Sequence, residues 1–312
     1  MPNPLDLCAS KFHQLGDGKR MRYALFEPEK ARGTLLIAPG RREFIEKKYV
    51  ECGNEFLSRG FRLIIFEWRG QGLSDRLLTG PKRQRDHIPN FDIHINDLNS
   101  FYEKIVRPVQ TGPLLITGHS MGAHLILRWL VERQITNAVG VLLTAPMLAL
   151  SALPVHAIAR GMTWTASRLG HGADYAVGQH NYDVRDHTFD VNPLTHDPDR
   201  FALMEKYFKA HPDLVIGGVT WGWLEAALVS MSRIQQKRYF ETLKAPVLSI
   251  VGGADHVTPP HELARVVKHM PNARQILIPD AYHDILNETD LYRLAAWRHI
   301  DTFLEKIMSV QN

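Results

Sequence analysis

The sequence predicts an α/β fold with a mostly parallel central sheet, helices on both faces of that sheet and a helical insertion near the middle of the chain. Three observations lead to this prediction. Short, almost wholly apolar runs recur along the chain, as is typical of strands buried on both faces. Segments of helical period separate these runs, and this alternation favours parallel strand pairing. Between residues 147 and 238 the alternation stops, and no buried strand is evident.

The predicted strands are runs of apolar and β-branched residues, each of which is followed by a glycine, a proline or a polar residue. The five clearest lie at residues 34–38, 61–66, 113–117, 138–143 and 247–251. Residues 275–278 predict a further strand near the end of the chain. The weaker runs at 12–15 and 20–26 predict an antiparallel edge.

Helices are predicted where apolar residues recur at helical spacing between these strands. They lie at residues 121–133 and 261–270, and a last helix is predicted from a cap at residues 287–290 to about residue 308.

Residues 147–238 are predicted to form a cap inserted into a core made of residues 1–146 and 239–312. A loop of ninety-odd residues without secondary structure is implausible in a compact domain. We therefore expect a small helical lid folded over the carboxyl ends of the strands, where loops commonly carry binding residues.

The composition excludes several classes of protein. With 45% hydrophobic and 22% charged residues, the 312-residue chain is expected to be globular rather than disordered or fibrous. A net charge of +4 does not indicate nucleic-acid binding, and the basic run Lys82-Arg83-Gln84-Arg85 is predicted to be a solvated loop. The charge leaves open a transient contact with an anionic membrane surface.

Metal sites, cofactors and disulfides are not indicated. Cys8 and Cys52 are the only cysteines, too few for a disulfide framework and without the paired spacing of a zinc site. The sixteen histidines include no acid-backed metal-binding pair. The N-terminal residues lack the features of a signal peptide, and no run is long enough to span a membrane, so we expect a cytoplasmic protein.

A candidate nucleophile lies at the junction of a predicted strand and a predicted helix, in Gly118-His119-Ser120-Met121-Gly122. A sharp strand-to-helix turn needs small residues on both sides of the nucleophile, because the flanking backbones pack closely. A serine hydroxyl is a weak nucleophile at neutral pH. Ser120 therefore requires a base to accept its proton and an acid to orient that base.

The later strand ends supply both partners in the order serine, acid, histidine that this arrangement requires. Asp255 follows the strand at 247–251 and is the predicted acid. His283 follows the strand at 275–278, just before the last helix, and is the predicted base. Asp280 and Asp284 are second choices for the acid, since immediate neighbours of a histidine seldom point at its ring.

Two backbone N–H groups are predicted to stabilise the oxyanion that forms when the serine attacks. The N–H of Met121 follows the nucleophile at the N-terminus of a helix. The second is predicted to be the N–H of Arg41, in the loop Pro39-Gly40-Arg41-Arg42 after the first core strand. The Arg41 side chain is expected to be solvated.

Together these segments resemble the α/β-hydrolase superfamily, and within it the lysophospholipase and monoacylglycerol lipase group of serine hydrolases. The resemblance is carried by the G-H-S-M-G elbow at 118–122, the turn E-W-R-G-Q-G-L-S at 67–74, and the segments that contain Asp255 and His283. Residues 221–224, Trp-Gly-Trp-Leu, resemble a segment of bacterial lysophospholipase-like members. The resemblance implies an α/β-hydrolase fold, with Ser120, Asp255 and His283 as a catalytic triad.

The chain departs from this group at two positions. Pro39-Gly40 stands where many relatives have His-Gly, and Glu67 stands where they have Asp. Because proline lacks an N–H and fixes φ near −65°, we expect the geometry of the oxyanion loop to differ from that of relatives.

The resemblance implies a carboxylic-ester hydrolase acting on lysophospholipid or monoacylglycerol-type lipid esters. Candidate residues for the acyl-chain pocket are Trp164, Trp221, Trp223 and Leu148, although the cap needs its own core and Trp221, Leu224, Leu228 and Met231 fit one helical stripe. A transacylase, a thioesterase or a C–C bond hydrolase would use the same triad. A non-catalytic ligand-binding protein is the alternative from another class.

Overall fold

The computed structural model of the chain describes residues 5–150, 156–236 and 238–309. Residues 1–4 belong to the segment on which the signal-peptide expectation rests and lie outside the described residues. Residues 151–155 and 237, within the predicted cap, also lie outside them, as do residues 310–312.

An eight-stranded sheet forms the centre of the molecule, with the order β1-β2-β4-β3-β5-β6-β7-β8. The strands are β1 (Lys11–Gln14), β2 (Arg20–Phe26), β3 (Gly33–Ala38), β4 (Phe61–Phe66), β5 (Leu114–His119), β6 (Ala138–Thr144), β7 (Val247–Gly252) and β8 (Ala273–Ile278). β1 pairs with β2, and β2 with β4, in antiparallel register, whereas the remaining neighbours are parallel. The predicted mostly parallel sheet with an antiparallel edge is confirmed.

Helices cover both faces of this sheet, as the sequence predicts. The α-helices of the described chain, including those between β6 and β7, are in chain order α1 (Ile45–Lys48), α2 (Asn54–Ser58), α3 (Asp92–Phe101), α4 (Arg107–Val109), α5 (Met121–Glu132), α6 (His156–Ala166), α7 (Pro198–Ala210), α8 (Trp221–Ile234), α9 (Pro260–Val267) and α10 (Asp290–Ser309). Turns of π-helix, Tyr49–Gly53 and Tyr102–Val106, join α1 to α2 and α3 to α4.

Two large apolar clusters lie on opposite faces of the sheet. Side chains of α3, α5 and α9 pack on one face, in a cluster that also receives α8. Side chains of α1, α2 and α10 pack on the other face. Because strands β3 to β6 contribute buried residues to both clusters, they form the rigid centre from which the strand-end loops project.

The described residues between β6 and β7 contribute three α-helices, α6 to α8, and no strand of the sheet. α8 begins at a capped N-terminus, where Thr220 Oγ1 accepts a hydrogen bond from the Trp223 N–H at 3.2 Å. Its buried stripe includes Trp223, Ala227 and Met231, while Trp221 is partly exposed. The predicted stripe is confirmed for Leu228 and Met231, whereas at the start of the helix Trp223 rather than Trp221 faces the core.

The basic run at 82–85 is a partly exposed turn, and the prediction of a solvated loop missed its contacts with this inserted segment. Arg85 forms an ion pair with Asp174 at 2.8 Å, and Arg83 pairs with Asp213 at 3.1 Å. The Gly217 N–H also donates to the Gln84 carbonyl at 2.7 Å. The run holds the insertion against the loop that follows β4.

Candidate active site

Ser120 lies in a sharp turn between β5 and α5. Its backbone has φ 49° and ψ −116°, a sparsely populated conformation that costs a non-glycine residue roughly 1–3 kcal/mol. The chain packs so closely here that a Cβ on Gly118 would lie 2.8 Å from the Ala123 Cα, and one on Gly122 would lie 2.3 Å from the Pro39 carbonyl oxygen. Only glycine fits these two positions, and the turn presents Ser120 at the carboxyl edge of the sheet.

A continuous chain of hydrogen bonds joins Ser120, His283 and Asp255. Ser120 Oγ lies 3.0 Å from His283 Nε2, and His283 Nδ1 lies 2.8 Å from Asp255 Oδ2. Asp255 follows β7 and His283 follows β8, and these neighbouring parallel strands end at the same edge as β5. The arrangement allows the Ser120 hydroxyl to donate to an imidazole that a carboxylate orients.

Asp255 is held by several donors besides His283. Its Oδ1 accepts the N–H groups of Val257 at 2.7 Å and Thr258 at 2.9 Å, and its Oδ2 accepts the Thr258 hydroxyl at 2.7 Å. Burial alone would raise the pKa of Asp255, but the hydrogen bonds from His283 and Thr258 outweigh it and hold that pKa below its usual value. Asp255 is therefore ionised at neutral pH.

The two second choices for the acid lie elsewhere. Asp280 is exposed in a turn with φ 59°. Asp284 is buried, and its carboxylate lies 3.0 Å from Lys47 Nζ rather than against the His283 ring.

The loop after β3 leaves the N–H of Arg41 without an acceptor in the described chain. The Gly40 N–H donates to Glu43 Oε2, and the Arg42 N–H donates to Gln71 Oε1 at 2.6 Å. No acceptor within the described chain lies at the Arg41 N–H, and the same holds for the N–H of Met121, the first residue of α5. These are the two donors predicted for the oxyanion.

The Arg41 side chain is not solvated, so that expectation is wrong. Its Nε lies 2.7 Å from Asp86 Oδ2, its Nη2 donates to the Gly217 carbonyl at 2.6 Å, and only 24% of the side chain is exposed. Asp86 follows β4 and Gly217 belongs to the insertion, so Arg41 ties the oxyanion loop to both. Neither contact is readable from local sequence, because the partners lie 45 and 176 residues away.

Six ionisable side chains form a buried ion cluster directly behind Ser120 and His283: Glu43, Lys47, Lys48, Glu51, His119 and Asp284. Glu43 Oε1 lies 3.0 Å from His119 Nδ1 and 2.7 Å from Lys48 Nζ. The His119 ring lies 5.0 Å from the His283 ring between centroids. Through Glu43, the cluster joins the residue beside the nucleophile to the Gly40 N–H of the oxyanion loop.

Charges within the buried ion cluster stabilise one another. Burial opposes ionisation of Glu43, but Lys48, His119 and Lys47 hold its pKa well below the usual value. Burial likewise lowers the basicity of His119, but the Glu43 carboxylate outweighs it and raises the pKa of His119. The Glu43 carboxylate is therefore ionised, and the buried cations beside it compensate its charge.

Three donors of this cluster, from Glu43, His119 and Asp284, lie within 4.8 Å of one another, as the ligands of a metal ion would. The ammonium group of Lys47 lies 3.3 Å from Glu43 and 3.0 Å from Asp284. Because protein cations already neutralise both carboxylates, the donor set does not fit a metal ion.

A cavity of about 580 Å³ opens over Ser120 and His283. Its walls are mostly apolar, and its apolar lining includes Met147, Leu150, Leu194, Met204, Val219, Trp223 and Leu224. Its charged lining residues are Arg41, Arg42, Glu43, Lys47 and Asp284. A larger depression of about 800 Å³, between the start of β7 and α10, contains none of the candidate catalytic residues.

Of the four side chains predicted to form the acyl pocket, the structure brings Trp223 to this cavity. Leu148 is fully buried in the core cluster beneath it, next to the lining residue Met147. Trp164 is 54% exposed on α6, and Trp221 lies in a separate shallow depression against α6. The apolar lining thus comes from several short segments rather than from one tryptophan-rich helix.

The comparison with protein families agrees with this geometry. The model of the family described as serine aminopeptidase, S33, matches residues 29–290. The chain belongs to this S33 family of α/β-hydrolases. The matched segment contains Ser120, Asp255, His283 and the whole of the insertion.

Relatives of this S33 chain include two bacterial proteins of similar length. Lysophospholipase L2 of Escherichia coli K12 is 26% identical over 294 residues, which cover 92% of this chain and 84% of that protein. Probable lysophospholipase L2 of Haemophilus influenzae is 26% identical over 284 residues, covering 90% of this chain and 86% of the relative.

Solved structures share the fold of the S33 chain. A soluble variant of monoglyceride lipase from Saccharomyces cerevisiae, in complex with a substrate analogue, superposes with a TM-score of 0.76 at 18% identity, covering 98% and 97% of the two chains. Monoacylglycerol lipase from Paleococcus ferrophilus superposes with a TM-score of 0.69 at 23% identity, covering 93% and 98%. The resemblance drawn from the motifs is confirmed.

Sequence reasoning missed the charged residues around the nucleophile of this S33 chain. The sequence assigns no role to Glu43, Lys47 or Arg42, and it makes Asp284 only a second choice for the acid. The available signal was the uneven charge of Arg41-Arg42-Glu43 next to a predicted oxyanion loop. Only the tertiary structure brings these residues against Ser120.

Proposed function

We propose that this protein is a serine carboxylic-ester hydrolase in which Ser120 is the nucleophile, His283 the general base and acid, and Asp255 the residue that orients His283. The hydrogen-bonded chain from Ser120 Oγ through His283 to Asp255, open to a cavity, is the observation that carries this proposal.

In the first half of the reaction, His283 Nε2 accepts the Ser120 proton as Oγ attacks the ester carbonyl. The N–H groups of Met121 and Arg41 donate to the oxyanion of the tetrahedral intermediate. Collapse of the intermediate releases the alcohol, which takes the proton from His283, and leaves an acyl group on Ser120. Water then repeats the sequence and releases the fatty acid.

We propose single-chain lipid esters, of lysophospholipid or monoacylglycerol type, as the substrates. The mostly apolar cavity over Ser120 supports an acyl chain, and its volume lies within the range of small-molecule sites. The names of the bacterial relatives, lysophospholipases, support the same class. Both acids that line the cavity, Glu43 and Asp284, are paired with lysines, so neither is free to bind the α-ammonium group of a peptide.

We further propose that residues 147–238 act as a cap that touches the lipid surface. Three apolar side chains along α6 and the turn after it support this: Met162, Trp164 and Leu169 are 49%, 54% and 71% exposed. Arg160 and Arg168 lie on the same segment, where they would favour anionic headgroups. No helix in the described part of the chain could cross a bilayer.

We propose that the protein is located in the cytoplasm. The support for this proposal is that Cys8 and Cys52, the only cysteines of the sequence, are both free thiols.

The decisive experiment is labelling with a fluorophosphonate probe and assay of Ser120→Ala. We expect the wild type to be labelled at Ser120 and to release fatty acid from lysophospholipids or monoacylglycerols, and the variant to do neither. Full esterase activity in Ser120→Ala, or retention of lipid without turnover, contradicts the proposal. Product analysis in the presence of alcohols separates hydrolysis from acyl transfer, and acyl-thioester substrates test a thioesterase.

A further inference from the structure

Arg42 is a cation in the cavity wall that has no carboxylate partner within the described chain. Its two terminal nitrogens lie 3.4 and 3.5 Å from Nε2 of His187, and its guanidinium lies over the Tyr182 ring at 5.2 Å. Its Nε is buried and has no hydrogen-bond partner among the described residues. The charge is therefore held by one imidazole and two aromatic rings, the second being Phe208 at 6.0 Å.

Other cations differ from Arg42 because the charged group of each is paired with a carboxylate or donates to backbone carbonyls from its terminal nitrogens. Arg41 is paired with Asp86, and Lys47 is paired with Glu43 and Asp284. Arg76, a buried arginine that likewise has no ion pair in the described part of the chain, donates to several backbone carbonyls, including those of Gly72 and Asp213. Within the described chain, Arg42 alone among these cations lines the cavity over Ser120 with a guanidinium that donates to neither a carboxylate nor a carbonyl.

The protonation states of Arg42 and His187 leave a positive charge that an anion could bind. Burial lowers the pKa of Arg42 to about 10, so the guanidinium is still charged at neutral pH. Burial and the Arg42 charge lower the pKa of His187 to about 4, so that ring is neutral and accepts from Arg42. His187 therefore positions the guanidinium without neutralising it.

The backbone holds Arg42 in place at some cost. Its φ is 66°, the left-handed region that favours glycine, and its N–H is fixed by Gln71 Oε1 at 2.6 Å. A strained non-glycine residue beside a nucleophile is typical of functional positions. A side cavity of about 130 Å³ lies against Arg42, His187 and the Gly217-Gly218 backbone, and its one acid, Asp186, lies 3.5 Å from His180.

We infer that Arg42, positioned by His187, forms an anion subsite of the Ser120 cavity that binds the phosphate group of a lipid headgroup. A planar guanidinium can donate two parallel hydrogen bonds to phosphate oxygens, and an anion would compensate a buried charge that has no protein partner. The inference rests on the proposed function and narrows it: phosphate-bearing single-chain esters are preferred to neutral monoacylglycerols. Arg42 and Ser120 line the same cavity, so one single-chain ester can reach both.

The test compares two substrates with the same acyl chain, 1-oleoylglycerol and 1-oleoylglycerol 3-phosphate, in the wild type, Arg42→Gln and Arg42→Lys. We expect Arg42→Gln to lower kcat/KM for the phosphate ester at least tenfold more than for the neutral ester, mainly through KM, as loss of a charged hydrogen bond would. Arg42→Lys should keep part of the preference. The matched control Arg107→Gln, at an exposed arginine paired with Glu103, should keep the wild-type ratio.

Competition experiments distinguish the phosphate of a lipid headgroup from free inorganic phosphate as the ligand. We expect glycerol 3-phosphate to inhibit hydrolysis of 1-oleoylglycerol competitively in the wild type, and at least tenfold more weakly in Arg42→Gln, with inorganic phosphate a poorer inhibitor. The inference is overturned if Arg42→Gln lowers kcat/KM equally for both esters. It is also overturned if the wild type neither prefers the phosphate ester nor is inhibited by glycerol 3-phosphate. Inhibition by inorganic phosphate without any preference for the phosphate ester also overturns it. Fluorophosphonate labelling of Ser120 in every variant shows that the proposed hydrolase itself remains intact.

Discussion

Asp255 illustrates how single residues define this site. Its carboxylate accepts hydrogen bonds from the Val257 and Thr258 N–H groups, the Thr258 hydroxyl and His283. These donors fix the carboxylate so that one oxygen faces the His283 ring. These bonds also hold the pKa of Asp255 below its usual value, so the carboxylate that faces the ring is ionised at neutral pH.

Replacing Asp255 by Asn should remove the charge and favour the wrong tautomer of His283 while leaving the shape of the site unchanged. We expect kcat to fall by about 10⁴-fold with KM changed only a few-fold. The matched control is Asp280→Asn, at an exposed aspartate shortly before His283 in sequence, which should keep wild-type kcat. Steady-state kinetics of both variants on one ester tests Asp255 as the orienting acid. A larger loss of kcat in Asp280→Asn than in Asp255→Asn contradicts that assignment.

The three proposed catalytic side chains could be predicted from sequence because each follows a strand whose apolar run is easy to recognise. The charged residues behind them could not. Glu43 meets His119 across 76 residues, and Arg42 meets His187 across 145. Such contacts depend on how the insertion and the loop after β3 pack, and no local pattern encodes that packing.

At the scale of elements, the loops after β7 and β8 interlock at Gly252. A Cβ on this residue would lie 2.3 Å from the carbonyl oxygens of both Ala281 and Tyr282. The Ala254 N–H also donates to the Ala281 carbonyl at 3.0 Å. This close approach sets the distance between Asp255 and His283.

A Gly252→Ala substitution should push these two loops apart. We expect kcat to fall by at least 100-fold, because a misplacement of about 1 Å has that effect on catalysis, together with a lower Tm. Gly161→Ala is the matched control, since a Cβ on Gly161 within α6 meets nothing within 4 Å and alanine favours the helix by roughly 0.5–1 kcal/mol. Thermal unfolding and kinetics of both variants test the difference, and wild-type activity in Gly252→Ala would argue against a fixed loop contact.

The exposed apolar side chains on the segment of α6 predict dependence on a lipid surface. Leu169→Ser should weaken binding to anionic phospholipid vesicles several-fold and lower activity on aggregated substrate, but leave hydrolysis of a short, soluble ester unchanged. Leu291→Ser on α10 is matched in exposure, 74% against 71%, and should change neither. Vesicle co-sedimentation measures binding, and equal effects of the two substitutions would contradict a directed membrane face.

Secondary structure in the core could be predicted closely because buried parallel strands have a strong apolar signal. The start of the last helix, for instance, is predicted at a capping segment, and α10 begins at Asp290 within it. On α8, the predicted stripe is confirmed for Leu228 and Met231, which are buried, and is wrong for Trp221. Trp221 and Trp223 are equally apolar, and only packing against Phe91, whose ring lies 5.5 Å from that of Trp223, decides which is buried.

At the scale of the whole molecule, the buried ion cluster joins parts of the chain that are far apart. Lys47, in α1, contacts Glu43 at 3.3 Å and Asp284 at 3.0 Å across 237 residues. The cluster therefore fastens the oxyanion loop after β3 to the loop that carries His283. Removing one partner of a buried ion pair leaves an uncompensated charge and typically costs about 3–5 kcal/mol.

Lys47→Met should therefore destabilise the fold at neutral pH by about 3–5 kcal/mol and lower the Tm by about 10 °C. Burial opposes ionisation of both Glu43 and Asp284. The folded pKa of Glu43 is nevertheless lowered by Lys48, His119 and Lys47, and that of Asp284 by Lys47 and Lys48. Stability from such carboxylates is present above their unfolded pKa and is lost as the pH falls through the lower folded pKa.

The difference in Tm between wild type and Lys47→Met should consequently be largest near pH 7 and shrink as the pH falls toward 3, because protonated carboxyls no longer need the ammonium. Glu51, whose pKa burial raises, titrates with the opposite sign and offsets part of this trend. The control Lys209→Met, at an exposed position near the end of α7, should change the Tm little at any pH. Scanning calorimetry from pH 7 to pH 3 makes the comparison. A Lys47→Met effect that is small at pH 7, or that stays constant down to pH 3, would mean that the cluster does not stabilise the fold through its charges.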